Sequence, residues 1–526
     1  MSRLLLLVLF VVWMAGPPGP QPAVSVWPNL VLFIGFYVLL VLLLGLWSRV
    51  LARRVAASNF HRSLRRFNQV MLAARLMVPV WFTVGVYTLG WGTLIATGLG
   101  PALYRTCIGV LIGTVPAFMT WMGLWWSQYP ADRALREQNL LSDLDNDIPL
   151  YRPPPFRSYF SANLRVQVLF TIVPVLLIVL IRDALMKIAQ HTVSTGHFDG
   201  KAEYIEMGAS IIAAGTVFLF VPALLRRVLS TEPLPGGPLR ERLVTMCRQA
   251  GVKYREILLW KTHNNVGNAA VMGVLPQCRY VLLSDVLLER MSDEEVEAVF
   301  AHELGHVVHR HMIWYAIFFI VGMLGLGVAG KVVGDLVPGA NAQGTGPVLA
   351  ALLGSVGFIL VLFGALSRRC ERQADVYAAR TMEMLKGQEA TNATDLLVAP
   401  RQIATVGAGP LVPERGANEW HVGRYGAWLF AAALRRVATI NNIPISPRRP
   451  SGTGVRSRIG WWIESAVEFT NNWLHGSIAG RMQYLQDLSA DPRLTRHFDR
   501  SMFWLYCGLL FAFFTSVMFT VIGLTG

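Results

Sequence analysis

The stretch that decides the fold is residues 292–311, which read SDEEVEAVFAHELGHVVHRH. Ser292 and Glu295 are spaced as a capping box, so a helix is predicted to begin there. His302 and His306 are four residues apart and lie on the same face of that helix, as two ligands of one metal ion require. The pattern therefore predicts half of a zinc site.

Glu303 follows the first histidine and lies about 100° round the helix from it, beside the metal rather than on it. A carboxylate in that place can take a proton from the attacking water, which is the chemistry of H-E-x-x-H peptidases. Gly305 leaves room for another backbone or a substrate to come close. Two interpretations without catalysis stay open for the motif alone: a chance match, and an amphipathic helix with two ordinary polar histidines.

A catalytic zinc ion takes three protein ligands and leaves one position for water. His309 lies three residues beyond His306 and would have to crowd a helical face that is already used. The segment 367–375, SRRCERQAD, is a better source, because Glu371 and Asp375 are four apart and share a face. We expect Glu371 to bind the metal and Asp375 to accept the N–H of a ligating histidine. The alternative is that both carboxylates only pair with the neighbouring arginines.

Composition indicates a membrane protein. Of the 526 residues, 53% are hydrophobic and 15% are charged, whereas soluble domains carry about a quarter charged residues. The net charge is +15, but the arginines cluster in short loops beside apolar runs, so we expect a lipid bilayer and no nucleic acid as partner. The five scattered cysteines predict neither a disulfide framework nor a cysteine zinc site.

Apolar runs of about 20 residues predict membrane-spanning helices. They lie at 29–48, 76–97, 103–126, 166–182, 205–225, 312–332, 348–366 and 502–525. A shorter run before residue 17 is either a signal peptide or a short first helix. The predicted fold is a multi-pass α-helical membrane protein of about 8–9 spans with an inserted α+β zincin-like (gluzincin) catalytic domain.

The apolar runs divide the chain into six predicted parts. They are a signal-like or short first helix (1–28), a five-helix membrane region (29–228), the first part of the peptidase domain (229–311), two membrane helices (312–366), the second part of the peptidase domain (367–500) and a C-terminal membrane helix (501–526). Within the second part, 386–460 is predicted to be irregular apart from one helix near 425–440. The arginine-rich loop 49–66 and the nearly uncharged loop 331–347 predict that the peptidase domain faces the cytoplasm.

The paired motifs AVFAHELGH and SRRCERQAD, separated by two predicted membrane helices, resemble the integral-membrane zinc peptidases of the CAAX prenyl protease type and the related bacterial heat-shock membrane proteases. The resemblance covers about residues 230 to 490. It implies that His302, His306 and Glu371 bind zinc and that Glu303 is the base. Five apolar runs before H-E-x-x-H and the first two after it resemble the seven-helix CAAX architecture more than the four-helix heat-shock type, and the last run, 502–525, and the short N-terminal run are additions to that pattern.

Two further stretches extend the resemblance. NAAVMG, which begins at Asn268, and the YVLLSDVLL that follows look like the family's edge strand and its neighbour. Asn268 and Ala269 would then lie against an extended substrate, unless the segment is an ordinary hairpin. HGSIAGRMQYL resembles the family's H-P-x-x-x-x-R segment, with Gly476 in the place of the usual proline. His475 and Arg481 would stabilise the oxyanion, with a structural role as the alternative for Arg481.

The predicted function is that of a membrane-embedded zinc endopeptidase with one zinc ion per chain, acting on membrane-associated proteins or peptides, in the bacterial inner membrane with its catalytic domain on the cytoplasmic side. CAAX-type processing of prenylated C-termini is the alternative within the resemblance. A scaffold or transporter with a structural zinc site is the alternative from another class. The intact Glu303 argues against it, because a structural site needs no base. An intramembrane protease is disfavoured, because charged residues surround the motif.

Overall fold

A computed structural model describes residues 2–16, 26–53, 60–145, 153–193, 202–262, 266–336, 354, 357–392, 421–441, 443, 445 and 473–525. The described residues are almost entirely helical and include one small sheet. Much of the predicted irregular stretch 386–460, and residues 337–347 of the predicted uncharged loop, lie outside them. The helix predicted near 425–440 is confirmed.

The N-terminal half is a helical membrane region. Its helices are α1 (Ser2–Met14), α2 (Val26–Arg53), α3 (Phe60–Tyr87), α4 (Trp91–Leu99), α5 (Pro101–Tyr104), α6 (Cys107–Asp145), α7 (Phe156–Asn163), α8 (Phe170–Val193) and α9 (Ala202–Val228). A π-helical turn, Leu164–Leu169, joins α7 to α8. α1 packs into this region as a short first helix, where Trp13 is fully buried and stacks on Tyr104 with ring centroids 4.3 Å apart.

Six segments of the described chain are long and apolar enough to cross a membrane, and a seventh is counted if a bent helix pair forms one span. They are Trp27–Arg53, Phe67–Tyr87, Cys107–Glu137, Phe156–His191, Gly208–Val228 and Pro492–Phe519. The prediction of a multi-pass helical protein is confirmed. The predicted span 76–97 is wrong in its bounds, because α3 ends at Tyr87 and Gly90 adopts a left-handed φ of 81° before α4 begins.

A four-stranded mixed sheet follows the membrane region. Its strands are β1 (Thr231–Pro233), β2 (Glu256–Trp260), β3 (Ala269–Met272) and β4 (Tyr280–Ser284), in the order β1-β2-β4-β3. β2 and β4 are parallel, and the other two pairs are antiparallel. The apolar side chains of β4 are all buried, as expected of a central strand. β3 lies at the edge, so the predicted edge strand is confirmed.

Helices cover the sheet and continue into the membrane. Those around the sheet are α10 (Pro238–Gln249), α11 (Asp285–Arg290), α12 (Asp293–Val308), the N-terminal part of α14 (Gly364–Asn392), α15 (Arg424–Ile440) and α16 (Ile478–Ala490). Two further helices, α13 (His311–Leu336) and α17 (Pro492–Thr525), are apolar. The sheet and the helices around it share one hydrophobic core, in which Phe300, Leu304, Ala378 and Phe430 are at most 1% exposed. α12 and α13 meet at an angle of 48°. Arg310, between them, has a φ of 55°.

Candidate active site

The side chains of the H-E-x-x-H motif are held by α12. The helix begins with the predicted capping box, because the Ser292 hydroxyl accepts from the backbone N–H of Glu295 and the Glu295 carboxylate accepts from that of Ser292. His302 and His306 then fall one turn apart on the same face, with ring centroids 4.9 Å apart. The ring of His302 stacks on Phe430 of α15 at 5.5 Å, which fixes its orientation.

Glu371 reaches the histidine pair because α14 packs very closely against α12. A Cβ on Gly305 would lie 3.0 Å from the Cα of Ala374 and 3.2 Å from the Cβ of Tyr377, so any larger residue would have to push α14 outward by a few tenths of an ångström. The glycine was predicted to leave room for another backbone, and that prediction is confirmed. The close packing brings the carboxylate of Glu371 over the two imidazoles.

The three side chains form a group that can hold a metal ion, with their ligand atoms within 4.8 Å of one another. The Nε2 atoms of His302 and His306 are 3.3 Å apart, and the Glu371 oxygens lie 3.6 Å from each of them. Two ligands about 2.0–2.1 Å from one zinc ion in tetrahedral geometry are about 3.3–3.4 Å apart. The donor set and its spacing therefore fit zinc. His309 is outside the group, with its ring edge-on to Tyr377.

Asp375 and Arg481 support His302 from behind. The Oδ1 of Asp375 lies 3.0 Å from Nδ1 of His302, so that nitrogen faces a carboxylate while Nε2 faces the metal position. Arg481 donates from both Nε, at 2.8 Å, and Nη2 to the two oxygens of Asp375. Burial opposes the charge on Asp375, but Arg481 outweighs it and lowers the pKa of this carboxyl. Burial also disfavours a charged His302, yet Asp375 and Glu371 raise its pKa to about 9.

Glu303 lies beside this group and touches the sheet. Its Oε2 accepts a hydrogen bond of 3.1 Å from the backbone N–H of Val271 in β3. Burial and the nearby charge of Glu371 raise the pKa of Glu303, although the charge of His302 opposes them. A carboxyl with a raised pKa is a better proton acceptor than an ordinary glutamate, because it holds a transferred proton more firmly.

His475 approaches the group from the loop before α16. Its Nδ1 is 2.9 Å from Oε1 of Glu371, and its side chain is 62% exposed, so it is the solvent-facing member of the cluster. Gly476 has a φ of 74°, a conformation that disfavours other residues. Burial would raise the pKa of Glu371, but His475 and His302 hold it well below its usual range.

An open cleft of 890 Å³ contains the cluster. β3 forms one wall, with Asn268, Ala269 and Val271 among its lining residues, and the start of α13 forms another, with Met312 and Ile313. All of the predicted site residues except Asp375 line this cleft, and Asp375 lies behind His302.

The sequence did not single out the residues around His306. Nδ1 of His306 lies 2.9 Å from Nδ1 of His311, whose Nε2 lies 2.9 Å from Oε1 of Gln373. Spacing gave no signal for this contact, because His311 begins a new helix after the bend at Arg310 and therefore leaves the face that the α12 periodicity predicts.

Comparison with known proteins adds to this geometry. Residues 233–428 match Peptidase family M48. Protease HtpX of Legionella pneumophila strain Philadelphia 1 is 25% identical over 171 residues, which are 31% of this chain and 60% of the relative. Protease HtpX homolog 1 of Streptomyces coelicolor is 29% identical over 159 residues, 29% of this chain and 51% of the relative. The chain thus spans between half and three fifths of these two proteins.

Two further matches cover a larger share of the matched protein. Protease HtpX of Pseudomonas putida strain F1 is 26% identical over 236 residues, 39% of this chain and 78% of the relative. The crystal structure of Ste24p from S. mikatae aligns with 12% identity and a TM-score of 0.46, over 88% of this chain and all of that one. The family and sequence matches confirm the predicted resemblance: residues 233–428 of this helical membrane protein are similar to membrane metallopeptidases of the M48 type.

Proposed function

We propose that this protein is a membrane-embedded zinc endopeptidase, in which His302, His306 and Glu371 bind one zinc ion per chain. The observation that carries the proposal is the spacing of the three ligand atoms, 3.3 Å between the imidazole nitrogens and 3.6 Å from each to the carboxylate. Three protein ligands leave one position for water, which is typical of catalytic rather than structural zinc. The M48 match makes a metallopeptidase the natural assignment for such a site.

A bound zinc ion would acidify water and polarise the carbonyl of the scissile peptide bond. Glu303 would take the proton of the attacking water and deliver it to the leaving amine. Its position supports this role, because its carboxylate is beside the ligand group and is held by Val271 rather than by a cationic partner. A scaffold with a structural zinc site would have no use for a buried carboxylate in that place.

Asp375 would fix the orientation of His302 and the proton on its Nδ1, so that Nε2 is free to bind metal. Arg481 would support the metal site through Asp375, to which it donates from Nε and Nη2, while its Nη1 lies 3.6 Å from Oε2 of the proposed ligand Glu371. The bonds to Asp375 support the structural alternative for Arg481, and its Nη1 stays beside the ligand group. His475, which is exposed at the cleft, is the better candidate for an oxyanion donor.

The free edge of β3 would bind an extended peptide. The backbone groups of Asn268 face β4, where its carbonyl accepts from Ser284. Alternation along an antiparallel strand then turns the N–H and C=O of Ala269 and Val271 outward, toward the cleft. A substrate could therefore add as a further strand, while Asn268 lines the end of the cleft.

The substrates would be membrane-associated proteins or peptides. The cleft reaches the first residues of the apolar helix α13, Met312 and Ile313, so its entrance lies at the end of a candidate membrane segment. The positive-inside distribution of arginines would place this entrance on the cytoplasmic face. The HtpX relatives are bacterial proteins, which favours a bacterial inner membrane. Processing of prenylated C-termini is the competing substrate class.

The test is a trapping experiment with Glu303→Gln in the native membrane. The variant is expected to keep about one zinc ion per chain and to hold uncleaved substrates, since the base is not a metal ligand. Mass spectrometry of the captured peptides would separate internal membrane-protein segments from prenylated C-termini. Loss of zinc along with activity would make Glu303 structural, and a wild-type chain that binds no zinc would refute the proposal altogether.

A further inference from the structure

A chain of hydrogen-bonding groups leads from His306 to the C-terminal membrane helix. Nδ1 of His306 is 2.9 Å from Nδ1 of His311, and Nε2 of His311 is 2.9 Å from Oε1 of Gln373. The hydroxyl of Tyr506, in α17, lies 2.6 Å from the same Gln373 oxygen. His311 is fully buried and Gln373 is 9% exposed, so water does not compete freely for these contacts.

The direction of every hydrogen bond in this chain follows from the first one. If Nε2 of His306 binds the metal, its Nδ1 must carry the proton and donate it to Nδ1 of His311. His311 then has its own proton on Nε2 and donates to Oε1 of Gln373. Tyr506 donates its hydroxyl proton to that same oxygen, which has two lone pairs and can accept both. Each contact in this series therefore pairs one donor with one acceptor.

We propose that His311 is the positioning residue for the zinc ligand His306, and that Gln373 and Tyr506 hold His311 in the required tautomer. The inference rests on the proposed function, because it takes His306 as a metal ligand. It makes the two ligating histidines unlike: Asp375 holds His302 with a carboxylate, whereas a neutral imidazole holds His306. A neutral partner leaves the metal ligand less basic than a carboxylate does, but it fixes the ring equally well.

The proposal also gives α17 a function beyond anchoring. The ring of Tyr506 stacks on Trp314 of α13 with centroids 4.2 Å apart and planes 14° apart, so its hydroxyl is aimed by two helices rather than by one. α13 and α17 are both apolar and pack against each other. The metal site is therefore tied, through Tyr506 and Gln373, to the packing of two membrane helices.

A pair of amide substitutions at residue 311 tests the inference. The Oδ1 of an asparagine matches the place of Nδ1 in histidine, so His311→Asn keeps an acceptor for His306. The amide of a glutamine matches Nε2 instead, so His311→Gln keeps the bond to Gln373 and loses the acceptor. Zinc affinity of the full-length protein in detergent, measured by competition with a chromophoric chelator, should fall roughly 10- to 100-fold in His311→Ala and His311→Gln. His311→Asn should recover most of that loss.

Three further measurements separate positioning from folding. His309→Ala is the matched control, because the ring that it removes contacts His311 but is not part of the hydrogen-bonded series from His306 to Tyr506. It should leave zinc affinity unchanged. Tyr506→Phe keeps the stacked ring and removes one hydrogen bond, so affinity should fall by roughly fivefold or less. The visible spectrum of the Co²⁺-loaded protein should shift in His311→Gln and return toward wild type in His311→Asn.

The outcomes distinguish this inference from the proposed function. Zinc binding by the wild type and its loss in His306→Ala establish the ligand set. Suppose that the wild type binds zinc and that His306→Ala loses it. If His311→Gln then binds zinc as tightly as His311→Asn, the inference is overturned while the proposed function stands. If His306→Ala keeps its zinc, the proposed function fails first. Thermal unfolding of the metal-free proteins reports any variant that lost affinity only because it misfolded, and equal losses in the Asn and Gln variants would also count against His311 as an acceptor.

Discussion

The backbone N–H of Val271 donates to Oε2 of Glu303 at 3.1 Å, so the edge strand of the sheet is hydrogen-bonded to the proposed catalytic base. The bond holds the carboxylate on the cleft side of α12, beside the three proposed metal ligands. It also uses a donor on the edge where an extended substrate would add. The N–H group of Val271 is therefore wanted both by the substrate and by the carboxylate of Glu303.

Val271→Pro tests this relationship, because proline removes the N–H and is tolerated on the free edge of a sheet. We expect zinc content to stay near one per chain and kcat/KM to fall roughly 10- to 100-fold, the effect of losing a hydrogen bond to a charged group. Ala270→Pro is the matched control, since alternation turns its N–H toward β4, and it should lower thermal stability instead. A Val271→Pro enzyme with wild-type kcat/KM would show that this N–H matters to neither substrate nor base.

The helix and its face were predictable because their causes are local. A capping box fixes where α12 begins, and a spacing of four residues fixes which side chains meet, so Ser292, His302 and His306 fall where the sequence puts them. Glu371 lies next to the two histidines only because α14 packs against α12. The sequence indicated this arrangement through the spacing of Glu371 and Asp375, through the resemblance of the paired motifs, and through Gly305, whose missing side chain lets α14 approach.

The sequence did not predict contacts between residues that lie on either side of a break in helical periodicity. His311 follows the bend at Arg310, so helical spacing from His306 no longer says where its ring points. Tyr506 lies more than 100 residues beyond Gln373, and only the folded chain brings their side chains to 2.6 Å. The break after Tyr87 was missed for a related reason, since one glycine conformation interrupts an otherwise uniform apolar run.

Gly305→Ala is expected to weaken zinc binding more than it weakens the fold. Alanine favours a helix by about 1 kcal/mol over glycine, but here its Cβ would press on the Cα of Ala374, and overpacking costs about 1–3 kcal/mol. The two effects partly cancel in the free energy of unfolding, whereas the outward shift of α14 moves Glu371 off the histidines.

The matched control for this change is Gly215→Ala, a helical glycine in α9 with open space around it. It should leave zinc affinity untouched and leave stability equal or slightly raised. Chelator competition and thermal unfolding on both variants give the comparison. If Gly305→Ala and Gly215→Ala bind zinc equally well, close approach of α14 is not what completes the site.

Arg481→Lys separates support of the metal site from contact with the oxyanion. Lysine keeps the charge but cannot make the two-pronged hydrogen bond that Arg481 makes to Asp375. Because Asp375 contacts His302, we expect zinc affinity to fall by roughly 10-fold or more, with kcat per zinc-loaded molecule changed less. A normal zinc affinity with a large loss of kcat would instead assign Arg481 to the oxyanion.

The proposed cytoplasmic orientation of the peptidase domain can be tested with single cysteines in a cysteine-free background. Gln249→Cys, on an exposed position of α10, should react with an impermeant thiol reagent only from the cytoplasmic side. Gln190→Cys, exposed near the end of α8, should react only from the other side, because the opposite end of the same candidate span carries Arg157 and Arg165, which the positive-inside rule places in the cytoplasm. Reaction of both from one side would contradict the predicted topology.

His475 makes the sharpest kinetic prediction. It lies more than 100 residues from Glu371 in sequence, yet its Nδ1 is 2.9 Å from the Glu371 carboxylate and its side chain is 62% exposed at the cleft. If it donates to the oxyanion, its hydrogen bond strengthens mainly in the transition state. His475→Ala should then lower kcat about 10²- to 10³-fold with little change in KM or zinc content.

If His475 serves only to hold Glu371, the loss of its 2.9 Å contact should appear as weaker zinc binding, with a near-normal turnover for each zinc-loaded molecule. His475→Gln sharpens the comparison, because its amide N–H can still donate and should recover part of kcat. Turnover per bound zinc, measured for both variants across a range of zinc concentrations, separates the two roles. An unchanged turnover in His475→Ala would remove this histidine from the transition state and leave it as a partner of the metal ligand.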